Sequence, residues 1–175
     1  MLPGDTKPRN VDSMIRVNHA GEYGAKRIYQ GQLAILKNSA SAPVIEHMAE
    51  QEEAHLRYFS DLISKRKIRP TAFMPIWHVG GFALGAASAL LGEKAAMACT
   101  VAVEEVIDEH YQQQVDTLPS KEKPLKDKIK QFQAEELEHR DIGLEHHAEQ
   151  APAYPILSGV IKSISRKAIW LSERI

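Results

Sequence analysis

Four long stretches of this chain repeat apolar residues every three to four positions, and each sets one glutamate inside its apolar stripe. The first stripe reads Ile15, Glu22, Ala25, Tyr29, Leu33, Leu36 and the second Ile45, Met48, Glu52, His55, Leu56, Phe59, Ile63. The third reads Met97, Val101, Glu104, Ile107, Tyr111, Val115 and the fourth Leu125, Ile129, Phe132, Glu136, His139, Gly143. Residues three and four apart share one face of an α-helix, so each stripe predicts an amphipathic helix with a carboxylate on its buried face. An unpaired carboxylate in an apolar core is costly, and four are more so. Such helices pack stably only if the four groups stay protonated or share cations.

Glycine and proline fall mostly between these stretches, and no run alternates long enough for a strand. The pattern predicts helices over 11–37, 43–65, 76–117 with a break near Gly92, 125–149 and 156–172. Prolines 70 and 75 exclude a helix interior from RKIRPTAFMPIW, which reads as a long crossover. A weak internal repeat supports two helix pairs of one design. Glu22 and Glu104 are 82 positions apart, while Glu52 and Glu136, like His55 and His139, are 84 apart. The expected fold is all-α: a four-helix bundle of two antiparallel pairs joined by a long crossover, with additional apolar and C-terminal helical segments. At 175 residues, one domain over 1–175 is expected, with 1–10 flexible.

Glu-x-x-His occurs twice, at 52–55 and 136–139. Sixteen glutamates and eight histidines would give about 0.7 such matches by chance, so the motif alone decides little. Its placement decides more, because both copies lie inside apolar stripes. Glu46, Glu50, Glu53 and Arg57 fall on the opposite, polar face of their helix, as do Glu105, Glu109, Gln112 and Asp116 of theirs. Four carboxylates and two imidazoles suit two divalent irons, with balanced charge and room for further ligands. This is the donor set of ferritin-like carboxylate proteins: one Glu from each of two helices and Glu-x-x-His from each of two more. Zinc, which favours four-coordinate sites richer in N or S, fits less well. Glu22, Glu52, His55, Glu104, Glu136 and His139 are therefore the expected metal ligands and catalytic centre. Histidines 19, 47, 78, 110, 146 and 147 read as surface or satisfied core residues; His110, beside Tyr111, is the one positioned for an outer-sphere or relay role.

Composition narrows the alternatives. A net charge of −1 gives no electrostatic case for a nucleic-acid partner. The lone Cys99 excludes an internal disulfide and a four-cysteine iron site, and reads as a small buried apolar residue. A rubrerythrin-type peroxidase is thereby disfavoured. MLPGDTKPRN carries no apolar signal core and no Arg/Ser-rich presequence. Residues 73–92 are nearly uncharged and about long enough to span a bilayer. Glu93 and Lys94 follow at once, however, so the reading preferred here is a helix at a membrane surface or against a partner. Phe73, Trp77 and Phe82 suit that position, and Lys162, Arg166, Lys167 and Trp170 in 156–172 add a basic-aromatic surface. This apolar stretch argues against an iron-storage cage, and the six core donors would go unexplained in a non-catalytic scaffold.

Longer blocks carry a resemblance. RVNHAGEYGAKRIYQGQLA, QEEAHL, ALGAASALLGEKAAMACTVAVEE and EELEHRDIGLEHHAEQAPAY resemble the demethoxyubiquinone hydroxylases of ubiquinone biosynthesis over nearly the whole chain. The resemblance implies an oxidoreductase with a di-iron centre on the same six residues. It implies a monooxygenase that hydroxylates the ring of a polyprenylated demethoxyquinone, with O2 and NADH as co-substrates. No Gly-x-Gly-x-x-Gly fingerprint for the nucleotide is present. It further implies peripheral membrane attachment: the matrix face of the mitochondrial inner membrane in a eukaryote, the cytoplasmic face of the cell membrane in a bacterium. A lipid-binding accessory protein is an implied partner, and a homo-oligomer is compatible with it. Asn18 departs from the pattern, standing where an acidic residue is expected.

Overall fold

The structure is a computed structural model that describes residues 10–175; the flexibility expected of the N-terminal segment falls, for residues 1–9, outside the described region. Six α-helices account for most of it: α1 (Val11–Leu36), α2 (Ala42–Arg66), α3 (Met74–Leu90), α4 (Glu93–Thr117), α5 (Lys123–Glu145) and α6 (Tyr154–Ser172). No strand occurs among the described residues. Local chemistry sets the ends. Asn10 caps α1 by accepting from the Asp12 N–H at 3.2 Å. Pro43 and Pro124 sit in the first turns of α2 and α5, where the missing N–H leaves no bond unmade. Lys67 closes α2 in the left-handed region, and the Ile68 N–H reaches back to the Ile63 carbonyl at 2.9 Å.

Helices α1, α2, α4 and α5 form the ferritin-like bundle, with α1 on α2 and α4 on α5. The predicted stripes are its interior. Ile15, Ile45, Met48, Phe59, Met97, Val101 and Ile129 are all buried. Each such side chain removed from water contributes roughly 1.5–3 kcal/mol. Leu33 and Ile107 are only partly buried. Gly143 lets α5 approach α4 closely: a Cβ there would meet Val101 Cγ2 at 2.7 Å.

The helix expected over 76–117 is two helices. Gly92 has φ +106, which strains any L side chain, and the chain turns there so that α3 and α4 point independently. Released from α4, α3 packs along α1, and α6 packs along α4. The repeat thus covers three helices rather than two: α1–α2–α3 and α4–α5–α6 have the same plan. The crossover between the bundle halves consists of α3 and a short link before it.

Candidate metal centre

The six expected donors come from four helices and converge in the bundle core. Glu22 lies on α1, Glu52 and His55 on α2, Glu104 on α4, and Glu136 and His139 on α5; none is more than 1% exposed. They form two overlapping sets. Glu22, Glu52, His55 and Glu136 offer ligand atoms within 4.8 Å of one another, and so do Glu52, Glu104, Glu136 and His139. Glu52 and Glu136 belong to both sets, as bridging groups would. His55 Nδ1 is 3.0 Å from Glu136 Oε1 and His139 Nδ1 is 3.1 Å from Glu136 Oε2, so both rings turn Nδ1 inward.

The arrangement is under-satisfied as a purely protein network. Glu22 Oε2, Glu104 Oε2 and both oxygens of Glu52 are buried without a hydrogen-bond partner. Each such atom costs roughly 1–3 kcal/mol. Ionic oxygens and two imidazoles facing one space fit a pair of divalent cations, whose charge would match the four carboxylates.

Electrostatics agrees. Burial, then repulsion from Glu136, Glu22 and Glu104, holds the Glu52 carboxyl well above the usual range. Burial and Glu136 do the same to Glu104, against a bond from Tyr29. At Glu136, burial is outweighed by bonds from His139 and His55, which bring it down to about 2. At His55, burial is likewise outweighed, by Glu136 and Glu22, and the ring rises to about 11. Without metal the site therefore holds extra protons. Glu52 and Glu104 stay neutral above pH 4.5, where the unfolded chain ionises, and His55 stays charged above 6.5, where the unfolded chain does not. In both cases the folded state binds more protons, so stability falls as pH rises. Glu136 acts oppositely, but only below pH 4.5. Metal-free protein is thus expected to melt at lower temperature at pH 8.5 than at pH 6, and a divalent metal should restore the loss by displacing the protons. Melting curves with and without chelator check this; a flat metal-free profile between those pH values would contradict it.

An outer layer braces the donors across the α1–α4 seam. Tyr111 donates to Glu22 Oε1, and Tyr29 donates to Glu104 Oε1 at 3.0 Å. Each tyrosine lies seven residues after the glutamate of its own helix and serves the glutamate of the other. Burial and the surrounding carboxylates raise both phenols well above their usual range, so they remain donors. Beyond them, Asn18 and Gln114 bond reciprocally at 2.8 Å, and Gln32 donates to the Ala96 carbonyl at 3.0 Å. The Asn18 departure is thereby explained: an amide at this buried position completes a pair that a carboxylate could not. Tyr29 and Tyr111, and Gln32 and Gln114, repeat the offset of 82, the signal in the sequence that would have found them.

His110 lies outside the centre, its Nε2 2.7 Å from Gln114 Nε2. His47, His146 and His147 are exposed, and His78 bonds Tyr23 at 2.6 Å, as surface residues do. His19 departs from expectation: its Nδ1 is buried without a hydrogen-bond partner, and burial lowers its pKa. Cys99 is fully buried and its thiol is pushed up to about 12, as suits a packing residue.

Beside the centre lies an apolar cavity of about 220 Å³ among α1, α3, α4 and α6, lined by Gly24, Trp77, Gly81, Leu84, Val103 and Ile164 among others. Its α1 wall includes Gly21, which precedes Glu22, and Ala25, three residues after it, and its α4 wall includes Val103, which precedes Glu104. Trp77 Nε1 donates to Ser172 Oγ at 3.1 Å and joins α3 to α6 at the cavity.

A family model described as ubiquinone biosynthesis protein COQ7 matches residues 9–172. The chain belongs to this family. A relative from Rhodospirillum rubrum, named 3-demethoxyubiquinol 3-hydroxylase, is 58% identical over 176 residues, covering 99% of this chain and 83% of its own. The human relative, named NADPH-dependent 3-demethoxyubiquinone 3-hydroxylase, mitochondrial, is 55% identical over 169 residues, or 94% of this chain and 78% of its own. The Saccharomyces cerevisiae relative, named 5-demethoxyubiquinone hydroxylase, mitochondrial, is 41% identical over 188 residues, or 98% of this chain and 81% of its own. The COQ7-family chain is accordingly an enzyme, an oxidoreductase of the hydroxylase class. Where the resemblance implied NADH, the human relative's name specifies NADPH. Among the described residues, no helix is long and apolar enough to cross a membrane.

Proposed function

We propose that this enzyme hydroxylates the ring of a polyprenylated demethoxyquinone, using O2 and electrons from a reduced nicotinamide, at a di-iron centre on Glu22, Glu52, His55, Glu104, Glu136 and His139. One observation carries the reading: six buried donors, four of their oxygens without a hydrogen bond, lie behind the wall of an apolar cavity. Iron held there would supply O2 activation. The chain's own part is positional. The cavity binds the ring and the first part of the tail, and its apolar lining keeps water from the α1–α4 seam. Tyr29 and Tyr111 hold Glu104 and Glu22 in place, and their raised pKa values keep the phenolic protons on oxygen.

The tail needs an apolar exit, and the outer faces of α3 and α6 supply one. Ile76, Val79, Leu90, Leu91, Ile156, Val160 and Ile164 are exposed there. Such a patch suits the membrane in which the substrate dissolves, and peripheral attachment follows from it. The aliphatic residues carry this argument further than the basic ones. Lys162 pairs with Glu105 and Arg166 with Glu109 on α4, while Phe82 lies beneath the Arg27 guanidinium. Glu105 and Glu109, on the polar face of α4, thus partly face α6.

The test is anaerobic loading with Fe(II), a count of iron per chain, then addition of O2, reduced nicotinamide and a demethoxyquinone in liposomes. Two irons and a hydroxylated ring are expected; fewer than two irons, or iron without product, would refute the proposal. The cavity has its own test. A Cβ at Gly24 meets nothing within 4 Å, so Gly24→Leu can fold while filling the space. It should raise KM for the quinone about 10-fold or more and leave two metals bound. An unchanged KM would place the substrate elsewhere.

A further inference from the structure

The repeat that makes the two halves of the centre alike fails at one charge. His55 Nε2, pointing away from the donors, is 2.5 Å from Glu135 Oε2. His139 Nε2, its counterpart, is 2.9 Å from Gln51 Oε1. Gln51 and Glu135 are 84 positions apart, the same offset as the two histidines, so equivalent places hold an amide in one case and a carboxylate in the other. Glu135 is also fixed from behind, where Gln131 Nε2 donates to its Oε1 at 2.8 Å. The four glutamates and the two bracing tyrosines, by contrast, have counterparts of like chemistry: glutamate with glutamate, tyrosine with tyrosine.

We infer that Glu135 and Gln51 are positioning residues that make the two metal positions unequal, the Glu22/His55 position binding a divalent ion more tightly and filling first. The inference rests on the two-metal reading above. With Nδ1 inward as the metal donor, the ring proton sits on Nε2 and is donated outward. A carboxylate accepts it more strongly than an amide, fixes the ring more firmly and makes Nδ1 the better ligand. Outer partners of this kind change metal affinity about 10–100-fold, enough to separate two binding steps.

Anaerobic calorimetric titration with Co(II), paired with Mössbauer spectra of protein loaded with 57Fe(II), tests it. Wild type should bind two Co(II) in resolved steps, with Glu22→Ala removing the tight step and Glu104→Ala the weak one. The isosteric Glu135→Gln should weaken the tight step about 10-fold or more and draw two iron doublets toward one, while Gln51→Glu should strengthen the weak step. Their combination should reverse the filling order, an outcome that general destabilisation could not produce. Two ions bound with equal affinity, or a Glu135→Gln protein whose steps and doublets match wild type, would overturn this inference alone. Fewer than two ions in wild type would overturn the two-metal reading with it.

Discussion

Replacing Glu136 with alanine is expected to strip both metals and reduce hydroxylation at least about 100-fold, more than loss of an outer-shell partner typically costs. Replacing Glu22 or Glu104 should remove only one metal. The difference follows from geometry. Glu136 presents Oε1 to His55 and Oε2 to His139, so it alone is hydrogen-bonded to both rings. Glu52 shares its membership of both donor sets. Glu22 and Glu104 each belong to one set. The loss should also reach the metal-free fold. His55 owes its charged state chiefly to Glu136 and then Glu22, so without Glu136 its ring should titrate well below 11. An NMR titration of the imidazole reads this directly. Glu138→Ala, two residues along on the exposed side of α5, is the control and should leave both metals bound. Graded metal counts of two, one and zero for control, terminal and bridging variants would establish which groups bridge. Equal losses from all four glutamates would refute the two-set arrangement.

The burial of the six candidate donors was legible in the sequence because each is a statement about one helix. A period of three to four residues is local, and a glutamate inside an apolar stripe can be seen without knowing what the stripe faces. The bracing layer is a statement about two helices. Tyr29 reads as one more apolar member of its stripe until α1 and α4 are set antiparallel, when it falls opposite Glu104. Asn18 was noticed only as a departure from the family pattern, and its partner Gln114, 96 positions away, becomes visible only in the fold. Gln51 and Glu135 resemble any polar residues at the edge of a helix, and only ring orientation reveals them. The break at Gly92 was visible, but its consequence was not. That α3 leaves the line of α4 and lies on α1 is decided by glycines on both surfaces, and a glycine in a helical pattern does not name its neighbour.

Those glycines carry the second large effect. Gly85→Ala should lower the melting temperature although alanine is the better helix former. Helix propensity alone favours the change by about 1 kcal/mol. A Cβ at Gly85, however, would lie 1.9 Å from the Ile28 carbonyl oxygen and 2.7 Å from its carbon, both backbone atoms of α1. No rotamer relieves that contact, so the helices must separate. Gly31 meets the same limit from the other side, its Cβ position being 2.2 Å from the Phe82 carbonyl oxygen on α3. Overpacking of this kind costs about 3 kcal/mol. For a chain of this length the net loss of about 2 kcal/mol corresponds to roughly 4–8 °C. Gly159→Ala on α6, where a Cβ meets nothing within 4 Å, should instead raise the melting temperature slightly. The opposite signs separate interhelical contact from propensity. Function should divide in the same way. All six donors lie on α1, α2, α4 and α5, so moving α3 off α1 should leave two metals bound. The cavity has one wall on α3, through Trp77, Gly81 and Leu84, and opens when that wall moves. Gly85→Ala is therefore expected to keep its metal while KM for the quinone rises. Loss of metal together with the substrate would mean that α3 supports the centre itself and not only the cavity beside it.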